Sequence, residues 1–298
     1  MYKAFYGLRR NPFEVSPDPY FFFQTPRHTE ALANLVYGVL RRKGFVVVTG
    51  EVGTGKSLLL RCLLEVLSDH KTAFAYVYNP MISVPEFLTH VVNDLGLLPS
   101  TACSKSETLA RLNNFLMERS RQDLTTALVV DEAQLLSWEL LEEIRLLTNL
   151  ETTKHKLLQI VLVGQPEFDR KLDSQQLRQL KQRIALRCSL KPLGPDEVKG
   201  YVYRRLELAG LNSHAAAIFP DETIALIHQF SRGIPRLINT VCENSLLLGF
   251  GHGQRQITTE IVREVATDLH LDRFTGLPLD DPTEDSLGPF NDANFRRE

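Results

Sequence analysis

Apolar positions along this 298-residue chain follow two rhythms in its first two thirds and one rhythm afterwards. Short apolar, β-branched runs at Gly44–Val48, Thr72–Tyr78, Thr125–Val130 and Leu158–Gly164 predict buried strands, with Ala185–Leu190 as a fifth. Between them the apolar residues recur at helical spacing. Leu32, Leu35, Val36, Val39 and Leu40 mark a helix over Thr29–Arg42, and further helices are expected at Leu58–Leu67, Ser106–Gln122 and Trp138–Leu150. Another runs from Ser83 to about Leu95, opened by Ser83 and Glu86 in a capping-box pattern. Leu97–Ser104 reads as a loop and Pro166–Arg183 as short helical pieces. Strands alternating with helices imply right-handed crossovers and a mainly parallel sheet, an α/β fold in three layers.

After Gly194-Pro195 only helical patterns remain, at Pro195–Ala209, Asp221–Phe230, Pro235–Gly249 and Thr258–Leu269. The expected organisation is therefore an amino-terminal linker (1–28), an α/β core (29–193), a helical unit (194–271) and an acidic, disordered tail (272–298). The linker holds Pro12, Pro17, Pro19 and Pro26 among Phe13, Tyr20, Phe21, Phe22 and Phe23, so it should be ordered and wrapped over the following domain. No internal repeat is visible.

Composition narrows the picture little. A net charge of −2 argues against wholesale coating of nucleic acid and leaves local basic patches open. Cys62, Cys103, Cys188 and Cys242 have no paired spacing, which argues against a disulfide framework or zinc site and fits the cytoplasm. No stretch reaches the ~20 apolar residues of a membrane helix, so direct membrane insertion is not expected.

The candidate chemistry centres on Gly50-Glu51-Val52-Gly53-Thr54-Gly55-Lys56-Ser57, which lies between a predicted strand and a predicted helix and continues into Leu58. This is the context that makes a glycine-rich pattern a P-loop. Glycines let successive N–H groups turn toward phosphate oxygens, and the helix presents its positive end to the same anion. Lys56 should reach the β- and γ-phosphates of a nucleotide and the Ser57 hydroxyl should ligate Mg²⁺. The strand Ala127–Val130 ends on Asp131-Glu132. Parallel strands bring such ends to the edge that carries the P-loop, where Asp131 supports Mg²⁺ and Glu132 polarises the attacking water. A module that only binds nucleotide needs no second acid, so hydrolysis is favoured over passive binding.

Three further features have a bland and a chemical reading. Gln165, at the end of another strand, is a turn residue before Pro166 or an amide for the γ-phosphate or the water. Arg178, Lys181, Arg183, Arg187 and Lys191 form a basic stretch: a solvated face, a phosphate-backbone surface, or the source of an arginine finger for a neighbouring subunit. Arg236 follows Pro235 at a helix start, as a surface residue or as a guanidinium that closes onto the γ-phosphate.

Taken together, GEVGTGKS, LVVDEAQ, VGQPEF, LKQRI and GIPR resemble the motif order of an AAA+ ATPase, and the likeness is strongest to the ExeA family associated with general secretion and related bacterial envelope systems. The opening FYGLRRNPFEVSPDPYFFFQTPRHTEAL resembles that family's linker, and the likeness extends over about residues 2–270. It implies a P-loop core with a helical lid, ATP and Mg²⁺, and a homo-oligomer serving an envelope or secretion apparatus. By residue it implies Walker A at Gly50–Ser57, Walker B at Asp131 and Glu132, and sensor 1 at Gln165. It also implies an arginine finger at Arg183, with Arg187 or Arg178 as substitutes, sensor 2 at Arg236, and Pro12 and Phe13 lining the adenine pocket. Secretion-pathway members continue into a membrane segment and a peptidoglycan-binding region where this sequence has its acidic tail. Related short ATPases accompany exopolysaccharide and protein-sorting clusters. Transposition regulators of the TnsC type share the core and assemble on DNA with ATP, which makes DNA a second candidate partner. A scaffold with an idle P-loop and a nucleotide kinase fit less well: Glu132 argues against the first, and the missing acceptor-binding domain against the second.

Overall fold

The computed structural model describes residues 2–97, 104–211 and 215–271; the predicted acidic tail, most of the predicted 97–104 loop and Cys103 lie outside them. Strands β1 (Phe45–Gly50), β2 (Ala73–Val77), β3 (Thr126–Val130), β4 (Leu158–Gly164) and β5 (Leu186–Leu190) form one sheet in the order β2-β3-β4-β1-β5. Every pairing is parallel. The helices in chain order are α1 (Tyr2–Tyr6), α2 (Pro26–Leu40), α3 (Lys56–Asp69), α4 (Val84–Asp94), α5 (Lys105–Arg121), α6 (Trp138–Leu147), α7 (Pro166–Leu172) and α8 (Arg178–Lys181). The later ones are α9 (Pro195–Leu208), α10 (Ala215–Ile218), α11 (Asp221–Ser231), α12 (Pro235–Gly251) and α13 (Thr259–Asp268). Among the described residues, no helix is long and apolar enough to cross a membrane.

β1, β3 and β4 are buried along their whole length, which is why they read as continuous apolar runs. Side chains alternate between the sheet faces. Phe45, Val47, Leu128, Val130, Ile160 and Leu162 face a core shared with Phe87, Leu112, Leu140, Ile144 and Phe168. Val46, Val48, Ala127, Val129, Val161 and Val163 face the other side, against Leu35 and Val39 of α2 and Leu59, Leu60 and Leu63 of α3. β1 lies between β4 and β5, so the loop that follows it opens on the carboxyl edge with a strand on either side.

Helix starts follow their caps. Ser83 and Glu86 close the expected capping box on α4, and Ser104 and Glu107 close another on α5. α2 begins at Pro26, three residues ahead of the expected Thr29. The Thr25 hydroxyl accepts the His28 N–H, and Pro26 occupies a first-turn position where its missing N–H costs nothing.

A third core fills the helical unit, where Val202, Leu206, Ile227, Val241, Leu246 and Val262 are buried together. The amino-terminal residues belong to it. Tyr2, Tyr6, Leu8 and Phe13 are buried there, the Tyr2 hydroxyl donates to the Glu243 carboxylate, and the Tyr6 hydroxyl donates to the Gln254 carbonyl. The expected wrapping over the sheet domain is therefore confined to the later linker, where Arg61 of α3 donates to the Pro17 carbonyl at 2.6 Å and Phe22 packs on the α2–α3 side. Aromatic side chains dominate this choice, because each buries the most surface where the helices leave deep gaps.

The core and the helical unit meet at Leu193 and Gly233. The Leu193 N–H donates to the Gly233 carbonyl at 2.8 Å, Gly233 has a φ of +72°, and a Cβ there would lie 2.0 Å from the Leu193 carbonyl oxygen. Gly233→Ala must strain the backbone and break this seam. It should cost at least about 2 kcal/mol, read as a lowered midpoint in chemical denaturation.

Candidate active site

The P-loop closes the carboxyl end of β1. Gly53 and Gly55 have φ of +83° and +101°, which only glycine adopts freely. Thr54 is fully buried, and its hydroxyl donates to the Glu51 carbonyl at 2.8 Å, holding the turn from inside. At Gly50 a Cβ would lie 2.9 Å from the Leu190 carbonyl oxygen, so a side chain there would push β5 away. His28 fixes the loop from outside: its Nε2 donates to the Thr54 carbonyl at 3.0 Å while its Nδ1 accepts from Thr25 at 2.7 Å. Lys56 is buried, and its ammonium donates to the Gly50 and Glu51 carbonyls at 2.6 and 2.9 Å. Burial lowers the Lys56 pKa, opposed by the charges of Glu132, Asp131, Glu51 and Glu167. Val52 and Ser57 are exposed at the cleft.

The turn directly after β3 holds the acids. Asp131 is 6% exposed, accepting the Glu132 N–H at 2.8 Å and the Tyr76 hydroxyl at 3.3 Å. Burial raises its pKa; Glu132 adds to this while the two hydrogen bonds and Lys56 oppose it. Burial likewise holds the Tyr76 phenol protonated, with Asp131 acting in the same direction. Glu132 sits in the left-handed region with φ of 51°, a conformation that is costly for a non-glycine residue. Its carboxylate meets two amides: Gln134 and Gln165 both donate to its Oε2, at 2.5 and 3.3 Å. Gln134 in turn accepts the Gln165 N–H at 3.0 Å, so the loops after β3 and β4 are cross-linked.

The helical unit supplies the opposite wall. Arg236 donates its backbone N–H to the Gly53 carbonyl at 3.2 Å, and a Cβ on Gly53 would lie 2.8 Å from the Arg236 Cβ. Beside it stand Tyr201, Asn239 and Arg205, with Val15, Ser16 and Pro17 of the linker closing one end. Arg205 is 4% exposed and has no carboxylate partner among the described residues; it lies 4.9 and 5.1 Å from the Phe21 and Tyr201 ring centres and donates to the Pro12 carbonyl at 2.6 Å. The cleft offers ≈ 170 Å³ of space, and Gly53, Gly55, Lys56, Ser57, Leu58, Glu132, Gln165 and Arg236 all line it.

Pro12 and Phe13 lie outside this cleft, contrary to the sequence expectation. Phe13 is fully buried against Phe219 at 6.0 Å in the helical core, and Pro12 contributes its carbonyl to Arg205. The chain turns outward after Phe13, so Val15 to Pro17 reach the cleft instead. Tyr76, Gln134, Tyr201, Arg205 and Asn239 carried no signal strong enough to be singled out. Gln134 had a faint one, an amide two residues past the paired acids, in the same kind of turn as Gln165.

The candidate finger residues stand apart from the cleft. Arg183 precedes β5 at the amino edge of the sheet and donates to the Thr148 hydroxyl. Arg187 pairs with Asp169, and Lys181 pairs with Asp173 at 2.6 Å. Arg178 is exposed and makes no ion pair among the described residues. The basic stretch is thus partly neutralised by acids that lie outside it in sequence.

The donor set fits a nucleotide and a hard cation. The glycine cradle leaves no room for side chains, the amino end of α3 opens on the cleft, and Lys56 spends its donors on carbonyls that a phosphate would replace. Ser57 and Asp131 offer oxygen ligands of the kind Mg²⁺ takes alongside phosphates and water.

Fold and cleft together define an AAA+ protein, and the AAA domain family matches residues 39–172. The chain is ExeA-like: it is 40% identical over 257 residues to the general secretion pathway protein A of Aeromonas hydrophila, covering 86% of this chain and 46% of that protein. It thus spans about half the length of the curated relative it matches. Among solved structures it is similar to Cdc6p of Pyrobaculum aerophilum, with a TM-score of 0.66 and 23% identity over 89% of this chain and 73% of that one. It is also similar to the Thermotoga maritima RuvB branch migration motor, with a TM-score of 0.53 and 17% identity over 90% and 76%. Identities this low carry the fold alone.

Asp131 gives the site a pH signature. Its folded pKa is raised, so its charge opposes folding above the ordinary carboxylate range and the opposition vanishes once it is protonated. Asp131→Asn should therefore unfold at a higher temperature than the wild type at pH 7. The gap should close as pH falls below roughly 4, as followed by thermal denaturation across pH.

Proposed function

We propose that the chain is a Mg²⁺-dependent ATP hydrolase that acts as an oligomeric switch for a bacterial envelope, secretion or exopolysaccharide system. One observation carries the catalytic reading: Lys56, Ser57, Glu132, Gln165 and Arg236, drawn from loops after three strands and from the helical unit, line a single cleft. Lys56 leaves the Gly50 and Glu51 carbonyls and holds the β- and γ-phosphates. Ser57 and Asp131 would hold Mg²⁺, which when bound offsets the phosphate charge and orients the oxygens for in-line displacement. Tyr76 orients the Asp131 carboxylate through its hydroxyl.

Glu132 accepts a proton from water as the water oxygen bonds to the terminal phosphorus and the bond to the β-phosphate oxygen breaks. Gln165 bridges Glu132 and the γ-phosphate side of the cleft, and Gln134 keeps the carboxylate in place. Arg236 contacts the phosphates from the helical unit, so closure of that unit depends on the nucleotide present. Arg183, on the sheet edge opposite its own P-loop, completes a neighbour's site, with Arg178 or Arg187 as substitutes. The cytoplasm supplies the ATP. The likeness to the Aeromonas hydrophila protein supports service to a secretion apparatus.

Lys56→Ala should lose nucleotide binding, while Glu132→Gln should bind ATP and turn over at least about 100-fold more slowly, measured by equilibrium binding and phosphate release. Tight ATP binding by Lys56→Ala overturns the phosphate assignment. A second measurement addresses the finger. Arg183→Ala alone should lose about 10³-fold in turnover, and mixing with Lys56→Ala subunits, whose own sites are dead, should restore activity. Mixed oligomers that stay inactive count against a finger acting between subunits.

A further inference from the structure

The amino edge of the sheet, away from the nucleotide, carries a second charged concavity. Arg41, Arg42 and Lys43 leave α2 just before β1, and Lys154, His155 and Lys156 lie just before β4. These segments are more than a hundred residues apart in sequence, yet together they line an open groove of ≈ 410 Å³. The pairing of β1 with β4 brings them together, with Phe45 opposite Ile160. β1 spans six residues at about 3.3 Å each, so the groove lies roughly 20 Å from the P-loop and cannot share its phosphates.

Its charge is uneven. Five guanidinium or ammonium groups meet two carboxylates: Arg42 pairs with Asp123 at 2.9 Å, and Lys156 pairs with Glu151. Asp123 is itself 94% exposed at its side chain, so it neutralises little. Arg41, Lys43 and Lys154 make no ion pair among the described residues, and Arg41, Lys43 and Lys154 are all exposed. Arg42 also donates to His155 Nε2 at 2.9 Å, and burial, reinforced by the Arg42 charge, lowers the His155 pKa. Lys43 lies 5.4 Å from the ring centre of Tyr37, an aromatic that is 48% exposed.

We propose that this groove binds the sugar-phosphate backbone of nucleic acid without sequence preference, with Tyr37 as an adjoining stacking face. Cations set in a concavity admit a narrow anionic strand between its walls, whereas a flat layer of lipid headgroups meets only the rim. An exposed aromatic beside the cations suits a base, since stacking of that kind tolerates every base. Among the described residues no base-reading element lines the groove, so affinity comes from phosphate neutralisation and falls steeply with salt. The basic 174–191 stretch is the weaker surface, because Asp173 and Asp169 already hold Lys181 and Arg187.

The full chain is titrated with a fluorescein-labelled 30-base DNA strand and with its duplex, at several salt concentrations, by anisotropy. Wild type should bind, with log K falling linearly in log salt. Arg41→Glu/Lys43→Glu/Lys154→Glu should lose at least about tenfold in affinity at low salt and about two to three from the salt slope, with its thermal midpoint preserved. Lys181→Glu should bind as wild type does. If the triple variant does not fold, Lys154→Ala should show a smaller loss and a slope reduced by about one. The proposal is overturned if wild type binds neither DNA, if the charge-reversed groove binds as well as wild type, or if Lys181→Glu weakens binding as much. Binding to phosphatidylglycerol vesicles without binding to either DNA also overturns it.

Discussion

The close approach between the P-loop and the start of α12 is the contact on which the cleft depends. Gly53 gives its carbonyl to the Arg236 N–H, and its missing side chain lets Ile234 and Arg236 sit within van der Waals reach of the loop backbone. A loop that must curl around phosphate needs glycine for its dihedral angles. Here the same residue also needs to be small for a partner element. Because one backbone satisfies both demands, the wall that carries Arg236 is registered against Lys56 to within a hydrogen bond. The seam at Leu193 and Gly233 repeats the device a short distance away, with another left-handed glycine and another backbone hydrogen bond.

Around that contact the site is built from opposed tendencies. Lys56 and Asp131 are both buried, and burial pushes each toward its neutral form while the opposite charges nearby oppose that shift. Glu132 sits in the left-handed region at a cost in backbone strain, and two amides meet its carboxylate. Such an arrangement is held ready by its surroundings, since the groups would repel or relax if the loops after β3 and β4 were not tied together through Gln134 and Gln165. The linker extends the same logic to the far end of the cleft. Aromatic residues anchor it in the helical core, Arg205 binds its carbonyl, and only then does it pass over the nucleotide side.

The parallel sheet and its crossovers were legible because strands buried on both faces must be continuously apolar, and β1, β3 and β4 are. Capping chemistry was equally legible at Ser83 and Glu86. The linker was harder. Its prolines and aromatics announce an ordered, unhelical segment, but a run of large apolar side chains does not say which of two cores receives it. Phe13 went to the helical core against Phe219, which moved the cleft-lining role to Val15, Ser16 and Pro17. The basic 174–191 stretch misleads for a related reason: Asp169 and Asp173, outside it in sequence, neutralise part of it in space.

The sequence by itself determined the loop chemistry at Gly50–Ser57, the paired acids after an apolar strand, and the alternation that sets those acids and Gln165 on one edge. Local sterics and period-two burial act over a few residues, so they are written in the chain. Only the tertiary structure decided that Gln134 joins Gln165 on Glu132, that Tyr76 supports Asp131, that Arg205 is buried on the Pro12 carbonyl, and that Arg41 to Lys43 face Lys154 to Lys156. Those juxtapositions depend on strand order and register, which are set by how whole faces of the sheet find cover, and no short window of sequence contains that information.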